Sequence, residues 1–76
     1  MGIVAGTPGR VLRLRRIREE RGITLREAAR FVGVNPSTLS LIERGQAVCF
    51  PKWRDRLERL FQVDAATLFS LDERLG

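Results

Sequence analysis

Apolar residues in this chain recur at three- and four-residue spacing in short blocks, and residues that start or stop helices separate the blocks. This is the pattern of amphipathic helices, and no strand-like alternation of useful length accompanies it. The clearest block is TLREAARFVGVNPSTLSLIERG, Thr24 to Gly45, which carries two start and stop signals in succession. Thr24 is an N-cap, Glu27 three residues later completes a capping box, and Ile23 is placed to staple onto Ala28. A second helix is therefore expected over about 25–32, with Gly33 as its stop. Asn35 is the next cap, Pro36 takes the first helical position where a missing N–H costs nothing, and Val34 can staple onto Leu39. The third helix is expected over about 36–44, with Gly45 as its stop. Only Gly33 and Val34 lie between the end of one helix and the cap of the next. The two axes must therefore diverge sharply, which makes the block a helix-turn-helix.

The flanks follow the same logic. Thr7 and Pro8 offer a cap and first-turn proline for a first helix over about 9–21, with Gly22 as its stop. At 100° per residue, Val11, Leu14 and Ile17 fall on one side of that helix, and Arg13, Arg15, Arg16, Glu19 and Glu20 on the other. Arg18 breaks the pattern by falling between Val11 and Leu14 on the core face, so its guanidinium needs a partner if buried. Glu43, inward on the third helix beside Leu39 and Ile42, is the expected partner; the alternative is that Arg18 snorkels to water along its apolar stem. Ala28, Ala29 and Val32 form a small-residue face on the second helix, and Phe31 is expected to close an edge of the core. Trp53, Leu57, Leu60 and Phe61 mark a fourth helix over about 51–61. Asp64 caps a short fifth over about 65–70, with Val63 packing on Leu68. The expected fold is all-α, a five-helix bundle spanning about residues 9–71, between a flexible arm at about 1–8 and a tail at about 72–76.

Composition narrows the chemistry. Seventy-six residues suit one domain with one small core. A lone cysteine, Cys49, and the lack of histidine leave no disulfide framework and no zinc spacing, so no metal and no cofactor are expected. No apolar run approaches membrane-spanning length and no leader is visible, which makes a soluble cytoplasmic protein the expectation. Nor is an enzyme expected, because Cys49 and the serines have no evident activating base. The net charge of +5 comes from thirteen arginines and one lysine against nine acidic residues. With a sequence pI near 11.3, nucleic acid is the favoured partner, the alternative being a basic surface that merely solvates the protein.

The residues from Leu14 to Gly45, read as LxxIRxxRGITxxEAAxxVGVNxSTLSxIERG, resemble the Cro/C1-type helix-turn-helix family, also called the XRE family. The likeness continues through QVDAATLF at positions 62–69. It implies a lambda-repressor-like bundle whose third helix enters the DNA major groove, usually as a homodimer on a palindromic operator. It also implies a structural ion pair between Arg18 and Glu43. Leu25 stands where many members carry a phosphate-holding glutamine, and Leu41 where a longer polar or basic residue is common.

On that reading Pro36, Ser37, Thr38 and Leu41 face base edges, the short hydroxyls bringing the backbone close and Leu41 packing on a thymine methyl. Phosphates would be held by Asn35, Ser40, Arg44, Gln46, Lys52, Arg26 and the amides at Leu25. The expected function is a small repressor-like transcriptional regulator. The rival is a protein-interaction module of the same fold, an antirepressor, antitoxin or polymerase-binding factor, for which Leu25 and Leu41 speak. Candidate dimer surfaces are Phe31, the Val48-Cys49-Phe50 connection and, as first choice, the Leu68-Phe69-Leu71 end.

Overall fold

The computed structural model describes residues 11–72, and the arm at 1–8 with its Thr7-Pro8 cap lies outside them. Five helices follow in order: α1 Arg13–Glu20, α2 Leu25–Val32, α3 Pro36–Glu43, α4 Pro51–Phe61 and α5 Ala65–Leu68. Among the described residues the only extended pairing is an isolated antiparallel bridge between Leu12 and Leu71. α2 packs on both α3 and α4, while α5 joins α4 to α1 and α1 touches α3. Leu14, Ala28, Ala29, Val32, Leu39, Ile42, Leu57, Phe61 and Leu68 fill the centre.

The helix-turn-helix is set by local chemistry. Thr24 Oγ1 accepts the Glu27 N–H at 3.0 Å and Glu27 Oε1 accepts the Thr24 N–H at 2.9 Å, which satisfies two amides at the head of α2. At its other end Gly33 takes φ +90° and donates its N–H to the Ala29 carbonyl. This left-handed residue releases the chain towards Asn35 within two positions. The alanines at 28 and 29 are fully buried and let the neighbouring helices close on α2.

Gly33→Ala is expected to destabilise the fold more than Gly22→Ala. Both glycines have positive φ, +90° and +69°, where an L side chain costs about 1–2 kcal/mol. A methyl at Gly22 meets nothing within 4 Å, whereas at Gly33 it would stand 3.1 Å from Arg56 Nη1. That nitrogen donates to the Val32 carbonyl at 2.7 Å and so closes the end of α2. Urea midpoints of the two variants would show the difference, and equal losses would mean that Arg56 gives way freely.

Several sequence expectations are corrected. Helix 1 does not include residues 11 and 12, because Leu12 donates its N–H to the Glu43 carbonyl and Asp72 donates to the Val11 carbonyl, which hold the segment extended. Val11 is buried nonetheless, from that extended segment. α3 stops at Glu43 and α5 at Leu68, each earlier than expected, with Arg44 and Phe69 as the flanking residues. Asn35 and Asp64 occupy the N-cap positions but neither side chain caps the backbone. For α5, Glu58 Oε2 accepts the Ala65 N–H instead, and Asp64 accepts the Thr67 hydroxyl at 2.9 Å. Asp72, assigned to the tail, is fully buried, and Arg16, assigned to the solvent face, donates to it from Nε at 3.0 Å. That hydrogen bond is the chief cause raising the Arg16 pKa above its ordinary value.

Candidate nucleic-acid interface

The geometry of α3 is anchored from behind. Arg18 reaches from α1 to Glu43 at the end of α3, with Nε donating to Oε2 at 2.6 Å and Nη2 to Oε1 at 3.2 Å. Its third nitrogen, Nη1, donates to the Ile23 carbonyl at 2.9 Å, so the fork also ties down the loop before α2. The two side chains are 10% and 4% exposed, so they form a bidentate pair in a largely dry setting. Leu39 and Ile42 are buried on the same side of α3, and the opposite side is left to solvent.

On that opposite side Ser37, Leu41 and Arg44 are exposed, Thr38 and Ser40 are half-buried at the edges, and Asn35 and Pro36 lead the helix. Arg26, Gln46 and Lys52 are exposed as well. Leu25, Ser40 and Arg44 come together around one cleft of about 330 Å³, whose walls also include Arg18, Glu43, Arg15 and Glu19. The cleft thus lies where the start of α2 meets the side of α3. The helical wheel alone places Arg15 and Glu19 as plain solvent-face charges; their i and i+4 positions beside Arg18 are the available signal.

The exposed apolar residues do not form the expected C-terminal surface. Leu68 is fully buried and Phe69 packs against the core with the Arg54 guanidinium 4.9 Å from its ring centroid, so only Leu71 remains outside. Phe31 is 50% exposed. Val48 is 72% exposed, and Phe50, also exposed, meets Trp53 with ring centroids 4.7 Å apart. Between them Cys49 is half-buried, and burial pushes its thiol up to about 11, so it is protonated and a poor nucleophile at neutral pH. Among the described residues no helix is long and apolar enough to cross a membrane, and no cluster of three metal-binding side chains occurs.

A short capped helix, a two-residue turn and a second helix pinned from behind by an arginine–glutamate pair define a helix-turn-helix domain. The chain belongs to that family, of the Cro/C1 or XRE type: the family model described as a helix-turn-helix domain matches residues 11–71. Among solved structures it is similar to a chain of the SinR protein/SinI protein complex, at 32% identity and a TM-score of 0.65. That likeness covers 82% of this chain and 59% of the other, so this chain spans well under two thirds of its neighbour's length. No curated protein matches it.

Proposed function

We propose that this protein is a sequence-specific DNA-binding transcriptional regulator, a small repressor that inserts α3 into the major groove. The observation that carries the reading is the exposed side of α3, where Ser37 and Leu41 stand free beside Arg44, with Gln46 and Lys52 exposed in the segment that follows. Pro36, Ser37, Thr38 and Leu41 are assigned to base edges. Leu25, Arg26, Asn35, Ser40, Arg44, Gln46 and Lys52 are assigned to phosphates. A homodimer with half-sites about 34 Å apart suits a module that reads so few bases directly. Such a regulator carries no catalytic residue and works in the cytoplasm where the DNA lies.

Binding that neutralises phosphates releases counterions, so log K is expected to fall with log salt at about −0.9 per phosphate contacted. Arg44→Ala and Lys52→Ala should each weaken binding to all sequences and flatten that slope by about one unit, while Ser37 and Leu41 substitutions should change the preferred bases. Selection from a random duplex pool is the deciding measurement. Salt-dependent binding without any sequence preference would refute operator reading.

A second reading rests on Leu41, 38% exposed on α3, and on the exposed Val48 and Phe50. In it the domain docks another protein, as the name of the SinR protein/SinI protein complex says of its members. Such association would respond weakly to salt and show a negative heat-capacity change from apolar burial.

A further inference from the structure

We propose that the cleft between α1, α2 and α3 is a phosphodiester site gated by Glu19, in which Arg15 is the ligand released when the duplex backbone displaces that carboxylate. The inference rests on the DNA-binding reading and adds to it a residue pair that the helix-turn-helix itself does not contain. In the free protein Arg15 Nε donates to Glu19 Oε2 at 3.3 Å, and both side chains are about half exposed. Both line the cleft that Leu25, Ser40 and Arg44 complete. The charges in its wall sort themselves. Arg18 and Glu43 answer each other through two hydrogen bonds. That leaves Arg15 and Arg44 against Glu19, an excess of one positive charge suited to a single monoanion, with the Ser40 hydroxyl as a neutral donor.

Helix stability does not account for Glu19. It lies in the last turn of α1, where a carboxylate opposes the helix dipole. Its pair with Arg15 also runs in the less favourable order, with the cation N-terminal to the anion. What the carboxylate does do is occupy Arg15 beside a cleft that Ser40 and the exposed Arg44 also line. An incoming phosphate must compete with it, and winning turns one intramolecular pair into one intermolecular contact.

The test is binding to a random-sequence duplex, since a phosphate contact is blind to sequence. Glu19→Gln should tighten binding several-fold with little change in salt slope, since Arg15 holds the same phosphate in both complexes, whereas Arg15→Ala should flatten the slope by about 0.9. Glu20→Gln is the control, since Glu20 makes the same change in charge one residue away while contacting Arg16 and lying outside the cleft. It should give a clearly smaller gain. In an Arg15→Ala background the gain from Glu19→Gln should largely vanish, and thermal midpoints should stay near wild type throughout. Equal gains from Glu19→Gln and Glu20→Gln, or an undiminished gain without Arg15, would overturn the gate while leaving DNA binding intact. If neither wild type nor any variant binds duplex, the DNA-binding reading itself fails and takes the gate with it.

Discussion

Glu43→Gln and Arg18→Met are each expected to destabilise the domain by about 3–5 kcal/mol, because each strands the other's charge in a nearly dry site. A domain of this size has a total stability of only about 4–11 kcal/mol. Either substitution should therefore leave a large unfolded fraction near body temperature. The loss would be read from urea midpoints at unchanged m-value. Arg18 uses all three nitrogens, two on Glu43 and one on the Ile23 carbonyl, so Arg18→Met also frees the loop ahead of α2 and should be the costlier of the two. A double replacement by apolar residues should recover much of the loss, since no buried charge then remains. Single variants with wild-type midpoints would show that the pair reaches water readily and does not hold α3.

Phe61→Ala should cost about as much, roughly 3–5 kcal/mol, by a different mechanism. Phe61 is the largest fully buried side chain, and its removal leaves a cavity at the end of α4 that backbone hydrogen bonding prevents from collapsing. Its carbonyl accepts from Arg21 Nη1 at 2.6 Å, and Gln62 turns the chain with φ +59° immediately after it. Since α2 rests on α4, the helix-turn-helix should loosen too, and under the proposed function duplex affinity should fall with stability although Phe61 is fully buried. Phe61→Leu, which fills most of the volume, should lose much less. A loss under about 1 kcal/mol for the alanine variant would mean that the core repacks around α5, against the close packing seen here.

The chain's local periods and stops were enough to determine that the described residues are all-α with five helices and that the helix-turn-helix begins at Thr24. The physical reason is range. A capping box joins residues three apart, a left-handed glycine acts on its own helix, and an apolar stripe is a property of one segment. Arg18 and Glu43 were also visible, as two opposite charges each on the wrong face of its helix. Exposed Leu41 on α3 and Arg44 just after it follow from the same wheel.

What only the tertiary structure decided involves partners far apart in sequence. α1 begins at Arg13 because Leu12 and Arg13 give their amides to Glu43 and Ser70, and no pattern within the first turn announces that. Asp72 reads as one more polar tail residue until Arg16, 56 positions earlier, is found against it. Asn35 and Asp64 have the chemistry of caps, yet capping needs a side-chain rotamer that their residue type does not dictate, and at α5 Glu58 supplies the carboxylate instead. The cleft is the same case: Arg15 and Glu19 look like an ordinary helical pair, and only the placement of α1 across the start of α2 and the side of α3 turns them into its wall. Local rules determine which segments are helices, but the free energy of burying a charge or closing a gap depends on which helices meet, and that is a property of the packed domain.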